Sequence, residues 1–173
     1  MTFRSGVYIV PVDEWYIERA VWGIAGVVLL TASAFAHWVD PRAALLITAT
    51  GISSIIVALT GFCMVGSALI RLGFRGRLNA PPTAPAKWYF MRTDRWFLER
   101  RIYLVVGINI SLASVLSIVH SPWWLAFTTF VGIAMLWFPA TGFCIMANFL
   151  YWLGAEPRLA RGEGAVEEGA VCR

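Results

Sequence analysis

Three stretches of this chain carry no Asp, Glu, Lys or Arg: residues 20–39, 43–70 and 102–155. Nothing constrains the fold more. About 20 consecutive apolar residues are enough to cross the hydrocarbon of a bilayer. The last run is long enough for two passes. A soluble domain carries about 25% charged residues, whereas this one carries 14%. The pattern predicts an all-α membrane protein with four transmembrane helices at residues 20–38, 43–72, 102–119 and 123–153. Residues 1–19 lack an apolar core segment and include Asp13, Glu14 and Glu18, unlike a signal peptide. The first span is therefore expected to be retained.

The connections are unequal. Val39-Asp40-Pro41-Arg42 joins the first two helices and His120-Ser121-Pro122 joins the last two. Turns this short force antiparallel hairpins, and proline suits the first turn of the helix that follows. Lys and Arg favour the cytoplasmic side of a membrane. Of the 14 basic residues only Arg42 lies in a short turn, and the other thirteen fall in the N-terminal, central and C-terminal segments. Both termini are thus expected in the cytoplasm, and the membrane is expected to be a bacterial inner membrane. Helices of about 30 residues would measure about 45 Å against roughly 30 Å of hydrocarbon. The second and fourth must therefore tilt, bend or run along the cytoplasmic interface. Pro139 offers a kink in the fourth, but Ala58 stands at the matching place in the second, so the bends need not match.

An offset of 81 aligns the two halves. Residues 13–78 and 94–159 share 20 identities in 66 positions, where shared apolar composition would give only a handful. Asp13-x-Trp15-x-x-Glu18-Arg19 falls on Asp94-x-Trp96-x-x-Glu99-Arg100. Gly26 falls on Gly107, Gly51 on Gly132, and Thr60-Gly61-Phe62-Cys63 on Thr141-Gly142-Phe143-Cys144. Each unit holds two spans, so both copies take the same orientation. The expected arrangement is two tandem parallel-repeat hairpins, with residues 1–78 and 94–159 as the units. Residues 79–93 form a Pro-rich linker and residues 160–173 a polar tail.

The unit, Trp-x-x-Glu-Arg followed by an apolar hairpin, Thr-Gly-Phe-Cys and a closing Leu-x-x-Leu-Gly, resembles the YgaP-like inner-membrane domain. That is a two-helix family of poorly defined function, some of whose members are fused to a sulfurtransferase domain. The family places proline after the cysteine, whereas this chain has Met64 and Ile145. The resemblance implies one further role, the handling or export of small sulfur species such as sulfide or thiocyanate through Cys63 and Cys144.

The repeated residues have plainer readings too. Asp13 and Asp94 suit helix N-caps. Trp15, Tyr16, Trp96 and Phe97 suit the aromatic belt at headgroup level. Glu18, Arg19, Glu99, Arg100 and Arg101 complete an interfacial anchor whose arginines reach anionic lipid phosphates. Gly26, Gly51, Gly61, Gly107, Gly132 and Gly142 are candidates for close helix packing, as are Gly23, Ala32, Ala36, Ala49 and Ser53. Cys63 and Cys144 form a candidate thiol site, but their apolar neighbours favour packing, since burial raises a thiol's pKa. Cys172 lies in the tail. His37 and His120 do not align under the offset and fall at helix ends, where an interfacial place is the default over a haem or pigment ligand.

No charged side chain falls inside the apolar runs, where proton and ion paths would need one. No phosphate loop, metal motif or nucleophile–base pair is present, so no cofactor and no enzymatic activity are expected. The basic, aromatic stretch after the linker is better matched to lipid headgroups than to nucleic acid. The expectation is a non-catalytic accessory or scaffold subunit of a larger membrane complex, such as a respiratory or photosynthetic one. Its expected partners are membrane lipids and either that complex or further copies of itself.

Overall fold

The computed structural model describes residues 6–78 and 88–159. The polar tail expected at 160–173, most of the Pro-rich linker and Cys172 lie outside the described residues. Helices account for the described fold: α1 (Ile17–Trp38), α2 (Ala44–Thr60, entered through a 3-10 turn at Pro41–Ala43), α3 (Met64–Arg71), α4 (Leu98–Val119), α5 (Trp124–Thr141) and α6 (Ile145–Trp152). Among the described residues β structure is confined to two isolated bridges, Ile9 with Phe143 and Phe62 with Phe90. Four helices are long and apolar enough to cross a membrane, namely α1, α2 with its 3-10 turn, α4 and α5.

α1 and α4 begin three to four residues earlier than their apolar runs, because the Glu-Arg pair belongs to the first turn of each helix. Their N-caps are Tyr16 and Phe97, and neither makes a side-chain cap. Asp13 and Asp94 lie three residues too far upstream for that role. A distant carbonyl meets the first N–H instead: Ile17 donates to Arg75 O at 3.0 Å, and Leu98 to Glu156 O at 2.8 Å. At the other end of the hairpin, Asp40 accepts from Arg42 N at 2.8 Å just before Pro41, which suits the start of the 3-10 turn.

The two overlong helices each break, and at matching places. α2 ends on Gly61 (φ +79°) and α5 on Gly142 (φ +73°). Both are left-handed caps that glycine adopts without Cβ strain. Pro139 sits inside α5 and does not end it. The threonine before each glycine closes the turn. Thr60 Oγ1 donates to Ile56 O at 2.7 Å and accepts from Phe62 N at 3.1 Å. Thr141 does the same with Trp137 O and Phe143 N, at 2.9 and 3.2 Å. Cys63 and Cys144 then become the N-caps of α3 and α6. The span Pro41–Thr60 has 20 residues, about 30 Å of helix, which matches the hydrocarbon thickness.

α2 packs chiefly on α4, and α1 chiefly on α5. Glycines set the closest approaches. A Cβ on Gly51 would lie 2.8 Å from Gly107 O, and one on Gly107 would lie 2.7 Å from Gly51 O. A Cβ on Gly26 would lie 3.0 Å from Gly132 O. Small residues let membrane helices approach this way, and hydroxyls crossing the same interfaces add hydrogen bonds. Ser33 Oγ meets Thr128 Oγ1 at 2.8 Å between α1 and α5. Between α4 and α2, Ser114 Oγ donates to Ala44 O at 2.6 Å and accepts from Thr48 Oγ1 at 2.9 Å. Ala32 and Ala36 are buried, but Ala49 is exposed and Ser53 half-buried, so that pair does not pack inside the bundle.

The outside of the bundle is apolar. Leu46, Phe130, Ile133 and Trp137 all face outward. Of the nine tryptophans only Trp22 is buried, against Tyr103 and Phe138. Trp38 and Trp123 sit at one end of the bundle, and Trp15, Trp88, Trp96 and Trp152 at the other, the two levels at which tryptophan favours a membrane boundary.

Candidate functional site: a buried polar layer at the base of the bundle

The base is the end where α1 and α4 begin and α2 and α5 stop. There the chain needs partners for orphan backbone groups, N–H at two helix starts and C=O at two helix ends. The arginines supply donors for the carbonyls, and the glutamates hold backbone N–H groups of the turns that follow α3 and α6. Glu18 is 1% exposed. Its Oε1 accepts from Leu78 N at 2.6 Å and from the Tyr89 hydroxyl at 2.8 Å, and its Oε2 accepts from Arg77 N at 3.1 Å. Glu99, 4% exposed, repeats the pattern with Leu159 N at 2.8 Å, Tyr8 OH at 2.9 Å and Arg158 N at 3.0 Å. Carboxylates in the first turn also gain from the helix dipole.

The arginines cap helix ends. Arg19 Nε donates to Pro139 O at 2.7 Å, and its Nη1 donates to Val12 O and Glu14 O at 2.7 and 2.9 Å. Arg100 Nε donates to Ala58 O at 2.6 Å, with Nη1 on Thr93 O and Arg95 O at 2.9 and 3.3 Å. Pro139 and Ala58 stand in the last turns of α5 and α2, where cations are favoured. Trp15 and Trp96 stack on the two guanidinium groups at 4.3 and 4.0 Å. Both arginines are 7% exposed. The interfacial anchor is therefore divided. Asp13, Trp15, Asp94, Trp96 and Arg101 stay at the surface, whereas Tyr16 and Phe97 are buried, Arg19 and Arg100 turn inward to the ends of α5 and α2, and Glu18 and Glu99 to the turns after α3 and α6.

The segments before α1 and α4 dock on the helix breaks. Met91 N donates to Gly61 O at 2.8 Å and Cys63 N to Tyr89 O at 3.3 Å, while Val10 N donates to Gly142 O at 3.0 Å. Ser67 and Asn148, each four residues beyond a cysteine, hold these segments. Ser67 Oγ accepts from Tyr89 N at 2.9 Å and donates to Cys63 O at 2.7 Å. Asn148 Oδ1 accepts from Tyr8 N at 2.7 Å, and its Nδ2 donates to Tyr8 O and Cys144 O at 3.0 and 2.9 Å. Tyr89 and Met91 are buried, so the end of the segment read as linker belongs to the packed fold.

Cys63 is buried and Cys144 half-buried. Burial pushes both thiols above the ordinary cysteine value, only partly offset by neighbouring backbone N–H groups. Burial first, and then the facing carboxylates, keep the Tyr8 and Tyr89 phenols protonated as donors. A cavity about one water molecule in size lies among Tyr8, Trp22, Glu99, Phe138, Cys144 and Leu159. The histidines stand apart from this layer. His37 packs edge-on to Trp38, and His120 Nδ1 accepts from Trp124 Nε1 at 3.4 Å. Among the described residues no three His, Cys, Asp or Glu side chains gather as a metal site would require.

Tyr8, Tyr89, Ser67 and Asn148 were missed in the sequence. The tyrosines stand 81 positions apart, so extending the register five residues upstream would have found them. Ser67 and Asn148 fall on each other in that register but differ in type. The fold and this layer define an all-helical protein of the membrane-spanning class. Comparison with protein-family models, curated proteins and solved structures returned no match.

Proposed function

We propose that the chain is a non-catalytic accessory or scaffold subunit of a larger membrane complex. It is built as two tandem parallel hairpins of the YgaP-like kind, with both termini on the cytoplasmic side of a bacterial inner membrane. One observation carries this reading: the buried polar side chains of the repeated motif are engaged chiefly with the protein's own backbone, while the surface is aromatic and apolar. Arg19 and Arg100 hold the ends of α5 and α2, and Glu18 and Glu99 hold the turns after α3 and α6, so they build a rigid platform. Equivalent contacts support the tandem arrangement: Glu18 meets Tyr89 and Glu99 meets Tyr8, residues related in pairs by the 81-residue offset and exchanged between the halves. Purification from native membranes in mild detergent, followed by mass spectrometry, should recover the chain with a second protein in fixed stoichiometry. Recovery of this chain with no other protein would remove the accessory role.

The sulfur-handling reading has one favourable observation, the cavity beside Cys144. It needs a reactive thiolate, and burial works against one. With Cys172 replaced by serine, a small maleimide at pH 8 should label both thiols of the folded protein at least ten-fold more slowly than the unfolded chain. Cys144 should react before Cys63. Rapid labelling of either thiol in the folded protein would favour the sulfur reading.

A further inference from the structure

Asn109 stands at the middle of α4, the twelfth of its 22 residues, and is exposed on the outside of the bundle. It is the only Asn, Gln or charged side chain in the interior of the four spans. The others lie in first turns or at ends. Exposed hydroxyls in the spans answer to their own helix: Thr31 donates to Val27 O at 2.9 Å and Thr50 to Leu46 O at 2.8 Å. A carboxamide has more to satisfy. Asn109 Nδ2 donates to Val105 O at 2.7 Å, which leaves its second N–H and, among the described residues, its Oδ1 without a partner. In hydrocarbon no water can fill those valences, and an amide at such a depth draws helices together.

The surroundings of Asn109 have the form of a helix seam. Val105, Asn109, Leu112, Leu116 and Val119 recur at spacings of 4, 3, 4 and 3. This is the spacing at which two helices wind around each other. Leu112 is 57% exposed and Val119 72%. The opposite face of α4 is already committed to α2 through Gly107, Ile110 and Ser114. The position 81 residues earlier is Val28, so α1 offers no equivalent amide.

We propose that two copies of this chain associate through α4, with the Asn109 carboxamides exchanging hydrogen bonds across a twofold axis. The occupant follows from the chemistry. A carboxamide is both donor and acceptor, so it is complementary to itself. A closed twofold contact also brings the same residue of each copy to the axis. The inference needs only that α4 crosses a bilayer and does not depend on the accessory role.

The test uses the full chain, labelled with donor and acceptor fluorophores and reconstituted in phosphatidylcholine vesicles over a range of protein-to-lipid ratios. Energy transfer should report a dimer. Asn109→Leu should weaken it roughly three- to thirty-fold, Asn109→Gln should largely preserve it, and Thr31→Leu, on another exposed face, should leave it unchanged. In a background lacking the native cysteines, Leu112→Cys should cross-link to a second copy under mild oxidation, and Thr31→Cys should not. A wild-type chain that stays monomeric at every ratio would overturn the proposal. So would an Asn109→Leu variant that dimerises as well as wild type, or a Leu112→Cys chain in native membranes that captures only a different protein.

Discussion

Replacing Glu99 with leucine should destabilise the bundle by about 3–5 kcal/mol, since three donors would lose their shared acceptor at about 1–3 kcal/mol each. The backbone N–H groups of Arg158 and Leu159 and the Tyr8 hydroxyl all converge on this carboxylate. Leucine has similar bulk, so the loss would come from orphaned donors rather than from a cavity. Glu99→Gln keeps an acceptor and should cost less, about 1–3 kcal/mol. Thermal unfolding in detergent, followed by circular dichroism, measures both. If Glu99→Leu melts with wild type, the carboxylate does not hold the C-terminal turn. Glu18→Leu should behave alike, since Arg77, Leu78 and Tyr89 meet that side chain in the same way.

A second large effect is expected at the helix breaks. Valine at Gly61 would face two separate problems. The left-handed backbone disfavours a β-branched residue, at about 1–3 kcal/mol, and the new Cβ would run into the Met91 carbonyl oxygen. Gly142 is placed likewise against the Val10 carbonyl. Each valine should therefore lower stability by more than about 3 kcal/mol and release the docked segment, read as faster proteolysis near residues 88–92 or 8–12. Gly73 supplies the control. Its φ is +91°, but a Cβ there would meet no atom within 4 Å, so Gly73→Ala should show backbone strain alone, about 1 kcal/mol. Equal effects at Gly73 and Gly61 would mean that close packing adds nothing at the break.

The four spans were legible because hydrocarbon tolerates so few charges, and the charge-free runs mark them directly. The breaks were harder to see. Thr-Gly-Phe-Cys is apolar enough to pass as helix interior, and only the glycine, with its left-handed option, marks the stop. Pro139 offers a kink, but the helix runs through it. The Glu-Arg pairs read as surface because such residues are almost never buried unless paired. What buries them here is the need of backbone groups far away in sequence, Pro139 for Arg19 and Leu78 for Glu18. Hydropathy carries no trace of such demands. The 81-residue register carried half of it, since it marked Glu18, Arg19, Glu99 and Arg100 as special without saying why.

The exchange of partners across the base has a consequence for how the protein is made. Arg19 enters the membrane boundary with α1, yet the carbonyl that its Nε meets belongs to Pro139, 120 residues later. Tyr8 waits still longer, for Asn148, 140 residues on. The first hairpin thus leaves the ribosome with its charged turn only partly satisfied and its opening segment undocked. Completion comes when α5 and α6 arrive, so the second pair of spans locks the first. A truncation before α5 would leave the Arg19 Nε without its Pro139 acceptor and Tyr8 without Asn148.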